Sequence, residues 1–155
     1  MKVTEKALRP VVEAWFQKHG YYVAHEVMLA GGYCDLTGCK WEERIGRRIP
    51  KMQEIVAVEL KINDVRGVLC QAENNKYVAD TSYAAMPINK CARLKLKTLH
   101  LFESIGVGLL GVSSLRGVVI IVPAQKNVIS HNPDTCRRLW NFKIRHKATT
   151  AKRRN

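Results

Sequence analysis

The sequence predicts a single α/β domain in which a mixed sheet of four or five strands is flanked by helices. Short β-branched runs bounded by glycine or proline alternate with longer segments in which apolar residues recur at helical spacing. The chain has 155 residues, which is enough for one domain with a substantial core. We assign residues 1–125 to this core and residues 126–155 to a basic C-terminal helix and tail.

The N-terminal part of the chain is predicted to form one helix and three strands. Thr4 is the expected N-cap of a helix that runs to about Lys18, and Gly20 ends it. Pro10 falls inside this helix, so a later start or a bend is expected there. The three strands are expected at residues 21–29, 31–38 and 53–62.

The remainder is predicted to alternate between helices and strands. Asn63 or Asp64 caps a helix that continues to Ala79, and a fourth strand follows at residues 80–87. Asn89 caps a third helix that reaches residue 105. Residues 106–112 and 118–122 are expected to pair and close the sheet. Pro133 starts a short last helix, and the final ten residues are expected to form a flexible basic tail.

Charged residues at the end of the third strand are the most informative feature of the sequence. Glu59 and Lys61 flank Leu60 at the end of a β-branched run, and burying either charge is costly unless it is paired or binds a metal. Because strand side chains alternate, Glu59 and Lys61 are expected on the same face. Asp35, on the preceding strand, comes alongside Glu59 if the two strands form a hairpin. Two carboxylates and a lysine then share one small site.

Such a site suits phosphodiester hydrolysis. Paired carboxylates hold Mg²⁺, for which Mn²⁺ can substitute, and the metal lowers the pKa of a bound water. A lysine beside that water orients it and offsets developing phosphate charge. The order Asp35, then Glu59-Leu60-Lys61, resembles the PD-(D/E)xK nuclease superfamily. The residue before the aspartate is usually proline in that family, and here it is Cys34.

The resemblance implies a restriction-endonuclease-like core and a role for each motif residue. Asp35, Glu59 and Lys61 would be catalytic, and Asp35, Glu59 and the carbonyl of Leu60 would hold the metal. Many members of the superfamily place a glutamine on the next helix, where it contacts the substrate phosphate or the attacking water, and Gln71 takes that place. The fuller pattern has a tyrosine four residues later, where this chain has Asn75. Residues 71–87 resemble an uncharacterised, phosphodiesterase-like branch of the superfamily.

Two further acids are candidate metal ligands. Some nuclease relatives have a glutamate on the first helix that supplies an extra ligand, and Glu5 is the candidate here. Glu5 also fits a first-turn acid that stabilises the helix dipole. Glu26, which precedes a glycine pair, could approach Asp35 across the hairpin or lie in solvent.

The charge of the chain favours a polyanionic partner. Lys and Arg number 26 against 13 Asp and Glu, which gives a formal net charge of +13. Such a field attracts nucleic acid or an anionic membrane. No apolar run approaches the ~20 residues of a membrane span, and no secretory signal is visible. Basic residues at the tip between the second and third strands and near the C-terminus are either phosphate contacts or a solvated surface: Lys40, Arg44, Arg47, Arg48, Lys51, Arg137, Arg138, Lys152, Arg153 and Arg154.

The five cysteines are an odd number without framework spacing, which favours reduced thiols in a cytoplasmic protein of a bacterium, an archaeon or a phage. Their scatter favours buried small hydrophobic residues over a zinc site.

These observations favour a Mg²⁺-dependent endonuclease or exonuclease with DNA as the expected substrate, although the sequence does not decide between DNA and RNA. A homodimer is expected, because cutting two strands needs two sites. A catalytically inactive nucleic-acid-binding module of the same fold is the alternative, and the intact Asp35, Glu59 and Lys61 argue against it. A structural or assembly protein is a third class, which leaves the charged end of the third strand unexplained.

Overall fold

In the computed structural model, which describes residues 3–29, 32–42, 46 and 50–152, six strands form one sheet in chain order. β1 pairs with β2 and β2 with β3 in antiparallel fashion; β3, β4 and β5 are parallel, and β6 is antiparallel to β5. The strands are β1 Tyr22–Met28, β2 Tyr33–Glu42, β3 Lys51–Leu60, β4 Thr81–Pro87, β5 Gly108–Ser113 and β6 Gly117–Val122. The helices are α1 Glu5–Lys18, α2 Val65–Asn75, α3 Ile88–Cys91, α4 Leu96–Ile105 and α5 Pro133–Lys152.

The predicted α/β class is confirmed, but the prediction of four or five strands is wrong. Both outer hairpins join one continuous sheet, since β1 pairs along β2 and β6 pairs along β5. The prediction of one helix ending at residue 105 is also wrong, because the extended backbone of Lys95 separates α3 from α4.

Two helix ends differ from the sequence prediction. α2 ends at Asn75 rather than at Ala79, because the amide of Asp80 already pairs with the carbonyl of Ile55 at 2.8 Å. α5 continues to Lys152, so part of the predicted flexible tail is helical.

Alternation along β3 divides the core into two layers. Val56, Val58 and Leu60 pack with residues of α1 on one face of the sheet. Ile55 and Ala57 point to the other face, in a cluster that includes Leu139 of α5. Burial of both faces explains why β3 reads as a nearly continuous apolar run, as is usual for a strand with a parallel neighbour. A charged residue within the buried part of the strand, residues 55–60, is therefore exceptional.

A buried carboxylate ties the segment before α5 to the sheet. Asp80 accepts a hydrogen bond from the backbone amide of Ile55 at 2.7 Å, and its other contact is Nε2 of His131, also at 2.7 Å. The side-chain amide of Asn127 donates to the carbonyl of Ala79 at 3.0 Å. These contacts fix the point from which α5 runs back along β1.

The contact between α1 and the sheet depends on Gly38. A β-carbon at this position would lie 2.6 Å from the ring of Phe16, which is fully buried. We expect Gly38→Ala to lower the free energy of unfolding by about 1–3 kcal/mol, because the ring has to shift in a packed core. Chemical denaturation measures the change. Gly32→Ala is the matched control, since nothing lies within 4 Å of its added β-carbon; equal effects of both variants would contradict the packing argument.

Candidate active site

The register of β2 and β3 brings Asp35 and Glu59 together. Leu36 pairs with Val58, and both side chains enter the core beneath α1. Glu59, the next residue of β3, therefore points to the opposite face, and Asp35 lies beside it where the pairing of β2 with β3 ends. The Oδ2 atom of Asp35 accepts a hydrogen bond from the backbone amide of Leu60 at 2.8 Å, which anchors this carboxylate to the end of β3.

Glu59 is a buried carboxylate whose pKa is strongly shifted. Its exposed fraction is 3%. Burial raises the pKa of Glu59 to about 7, and the adjacent Asp35 carboxylate contributes to the rise. The side-chain amide of Asn75 donates to Oε1 of Glu59 at 2.7 Å and partly offsets the shift. Near neutral pH Glu59 is thus only partly ionised.

Lys61 lies just beyond the strand and contacts α1. β3 ends at Leu60, whereas the sequence prediction extended the strand past Lys61. The Lys61 ammonium lies 3.5 Å from Oε1 of Glu5, the first residue of α1. Glu5, a candidate ligand from sequence, is therefore placed beside the motif lysine.

A second ion pair joins α1 to β1. The guanidinium of Arg9 lies 3.1 Å from Oε1 of Glu26. Glu26 has a φ of +50°, which is unusual for a residue with a side chain, and among the described non-glycine residues it alone has a positive φ. The residues on either side of Glu26 pair with β2, whereas Glu26 itself does not, and Asp35 lies opposite it. Glu26 thus occupies the edge of the site, with its carboxylate turned to Arg9.

Cys34, which stands where the family has proline, is fully buried. Its thiol donates to the carbonyls of Leu36 at 3.1 Å and Val58 at 3.5 Å. Burial, reinforced by the Glu59 carboxylate, raises the pKa of Cys34, so this group stays a neutral thiol. It fills the space under the hairpin. The metal-binding role of the Leu60 carbonyl stays a prediction.

The glutamine that sequence reasoning selected is exposed, and a neighbour makes the observed contact. Gln71 lies on the exposed surface of α2, one turn before Asn75. Asn75 is buried and holds Glu59. Asn75 and Arg9 are the residues that sequence reasoning did not assign. The four-residue spacings of Gln71 to Asn75 and of Glu5 to Arg9, each one helical turn, are the signals that could have found them.

The basic residues predicted to contact nucleic acid are placed differently from one another. The Lys40 ammonium lies 4.2 Å above the ring of Tyr21, and Lys51 is exposed. On α5, Arg137 pairs with Asp134 at 3.3 Å, and Arg138 donates to the carbonyl of Met28. Lys152 is the last residue of α5. The remaining predicted contacts lie outside the described residues: Arg44, Arg47, Arg48, Arg153 and Arg154.

The carboxylate pair has the chemistry of a Mg²⁺ site with few protein ligands. Within the described ranges, no cluster of three or more His, Cys, Asp or Glu side chains is suited to a metal ion. Mg²⁺ needs fewer, since it keeps several waters and is commonly held by one or two carboxylates plus substrate phosphate. The raised pKa of Glu59 supports the fit, because a cation would relieve the repulsion between two neighbouring carboxylates.

Comparison with protein-family models, curated proteins and solved structures finds no match to this chain. No helix in the described part of the chain is long and apolar enough to cross a membrane. The functional argument therefore rests on the site itself.

The buried Glu59 makes stability depend on pH in a defined direction. Its pKa is about 7 in the folded state and near 4.5 in the unfolded chain, so the folded state keeps a proton that the unfolded state loses. The stability that the folded state gains by keeping this proton is therefore fully present below pH ~4.5 and is lost as the pH rises through ~7. We expect Glu59→Gln to exceed the wild type in free energy of unfolding at pH 8 by on the order of 2 kcal/mol, with no such gain at pH 4.

Urea unfolding in EDTA at a series of pH values measures this difference. Glu103→Gln, at an exposed site on α4, is the control and should show no pH-dependent gain. A difference between wild type and Glu59→Gln that stays constant with pH would exclude the raised pKa.

Proposed function

We propose that this protein is a metal-dependent nuclease that hydrolyses phosphodiester bonds, with DNA as the favoured substrate. The observation that carries the proposal is the pairing of two carboxylates, Asp35 and Glu59, at the end of β3, where Glu59 interrupts the otherwise apolar buried run of residues 55–60. A buried acid with a raised pKa beside a second acid is costly to the fold, and such groups cluster at functional sites. The motif resemblance of Asp35, Glu59 and Lys61 to PD-(D/E)xK nucleases gives the reaction class.

Each residue has a distinct role in the proposed reaction. Asp35 and Glu59, with the carbonyl of Leu60, would hold Mg²⁺ or Mn²⁺, which when bound supplies an acidified water and a counter-charge for the phosphate. Asp35 is held rigid by the amide of Leu60, and Glu59 by the amide of Asn75. Such outer contacts orient ligands and are important for affinity. Asn75 is thus a positioning residue. Gln71, which is exposed one helical turn before Asn75, would contact the substrate.

Lys61 would stabilise the negative charge that develops on the phosphate in the transition state. Glu5 now neutralises its ammonium at 3.5 Å. This ion pair is half exposed, so it is weak and exchanges readily for a phosphate oxygen. Release from Glu5 lets a flexible lysine side chain reach the substrate without any movement of the backbone.

The net charge of +13 favours nucleic acid as the substrate class. Cutting both strands needs two active sites, which favours a homodimer. The proposed setting is the cytoplasm. The second candidate is an inactive nucleic-acid-binding module of the same fold. The position of Lys61 favours this candidate, because its recorded ion pair is with Glu5 rather than with the carboxylate pair.

The direct test is cleavage by Asp35→Asn and Glu59→Gln. We expect each variant to lose metal-dependent cleavage of plasmid, linear duplex and single strands while it still binds DNA, because neither carboxylate alone displaces water from Mg²⁺. Gel-based cleavage assays with Mg²⁺, Mn²⁺ or EDTA measure turnover, and anisotropy measures binding. Glu103→Gln is the matched control and should cleave normally. Full cleavage in EDTA, or by both site variants, would rule out the proposed mechanism.

Lys61 can be separated from the metal ligands by its effect on rate. We expect Lys61→Met to lower turnover by about 100- to 1000-fold with metal and DNA affinity nearly unchanged, because the lysine acts in the transition state. Glu5→Gln should keep turnover or raise it, since it removes the competing carboxylate. Single-turnover kinetics with metal titrations distinguish these effects. Wild-type rates for Lys61→Met would make the lysine only the partner of Glu5 in an ion pair.

A further inference from the structure

A cleft of about 270 Å³ lies at the far end of the strands from the carboxylate pair. We call it the β1–α5 cleft, because β1, β2, β3 and α5 contribute to its walls. The lining residues that carry the argument are Tyr22, Cys39, Lys40, Trp41, Gln53 and Lys143. Cys39 pairs with Tyr22 on one side and with Ile55 on the other, four residues along β2 from Asp35. The cleft is thus on the same face of the sheet as the carboxylates and about 13 Å away.

Aromatic rings hold a lysine at this cleft. The ammonium of Lys143 lies 5.8 Å from the ring centre of Tyr22 and 5.1 Å from that of Trp140. The ring of Trp140 packs edge-on against Trp41 at 5.3 Å. Burial raises the pKa of the Cys39 thiol to about 12, while the positive charge of Lys143 opposes the rise. The cleft thus has a positive potential at its floor.

Two polar groups of the cleft residues lack partners. The hydroxyl of Tyr22 and the indole nitrogen of Trp41 are buried and make no hydrogen bond. Buried donors are nearly always paired in folded proteins, so each such group points to a missing acceptor. Burial raises the pKa of Tyr22 to about 12, which keeps its hydroxyl protonated and able to donate. Both atoms are closed to solvent, so a phosphate oxygen in the cleft supplies the acceptor only when the Tyr22 or Trp41 side chain turns towards it.

The lining is suited to an anion. Among the described residues, no carboxylate lines the cleft, and the side chains of Lys40, Gln53 and Lys143 all donate. Two nearby acids have partners of their own, although the charge of Glu13 also acts on Tyr22 and helps to raise its pKa. Glu13 faces His25 at 3.3 Å, and Glu54 accepts a hydrogen bond from the Tyr21 hydroxyl at 2.8 Å.

We propose that the β1–α5 cleft binds a backbone phosphate of the nucleic-acid strand on which the carboxylate pair acts. Phosphate oxygens accept from lysine and from neutral donors such as tyrosine, which matches the groups present. The volume is just below the ~300 Å³ of the smallest typical ligand pockets, so it takes one phosphate with its sugar and not a base pair. The strand's identity as substrate rests on the proposed function, whereas anion binding in the cleft does not.

The distance sets which phosphate is bound. Adjacent phosphates of one strand lie roughly 6–7 Å apart through space, so a separation of about 13 Å corresponds to about two phosphates. A neutral methylphosphonate at that distance from the cleaved bond should therefore weaken binding to the wild type. The same substitution should have no effect on Lys143→Met, which has already lost the contact.

The decisive measurement is strand binding in the Asp35→Asn background without metal, so that it does not depend on turnover. We expect Lys143→Met to weaken binding of a labelled oligonucleotide by about fivefold to tenfold and to lower the salt slope by about one. Tyr22→Phe keeps the ring and removes only the hydroxyl donor, and it should weaken binding as well. Lys97→Met, at an exposed site on α4, is the matched control and should change affinity by less than about twofold.

Titration with inorganic phosphate and with a dinucleotide, followed by tryptophan fluorescence, separates the possible sources of the phosphate. Tighter binding of the dinucleotide, lost in Lys143→Met, supports a strand subsite. If phosphate and dinucleotide bind equally and Lys143→Met leaves the oligonucleotide affinity unaltered, the proposed strand subsite is wrong and the cleft binds free phosphate. An unchanged affinity and salt slope in both cleft variants, with native circular dichroism, also overturns it. If the wild type cleaves no substrate but Lys143→Met still weakens binding, the proposed nuclease activity is wrong, whereas the proposed phosphate binding in the cleft is supported.

Discussion

The antiparallel register of β2 with β3 is the constraint on which the site depends. Leu36 and Val58 pair across the two strands and are both buried beneath α1. A slip of one residue would turn these side chains out of the core, so the hydrophobic layer enforces the pairing. The same register leaves Asp35 and Glu59 side by side on the opposite face. Apolar packing on one side of the sheet thus determines the meeting of two like charges on the other.

That meeting is unfavourable for the fold, and the surrounding donors limit its cost. The amide of Leu60 holds Asp35, and the side-chain amide of Asn75 holds Glu59. Even so, the pKa of Glu59 stays near 7 because burial dominates. Natural proteins keep such costly groups where activity requires them. The cation of the proposed function would require little rearrangement, since both carboxylates are already oriented by backbone or buried donors.

Sequence reasoning found what local pattern determines and missed what depends on packing between distant elements. The approximate positions of all six strands followed from short apolar runs between turn residues, and the approach of Asp35 to Glu59 followed from the expected hairpin. The expected sheet of four or five strands was too small, because a local pattern does not show that both outer strands join one continuous sheet. The break between α3 and α4 was missed because apolar spacing continues across it.

The partners of the site were missed for the same reason. Asn75 reaches Glu59 only because α2 ends over β3, and Glu5 reaches Lys61 only because α1 crosses the other face of the sheet. Neither crossing is encoded within a short window of sequence.

The direction of α5 connects the two ends of this face of the sheet. Near its start, Arg138 donates to the carbonyl of Met28, at the end of β1 beside the carboxylates. Further along, Phe142 packs near His25, and Lys143 reaches the ring of Tyr22 at the other end of β1. α5 therefore runs antiparallel to β1 and carries positive charge from the site to the cleft. Under the proposed function, a strand that followed this helix would meet the carboxylate pair at one end and the cleft at the other.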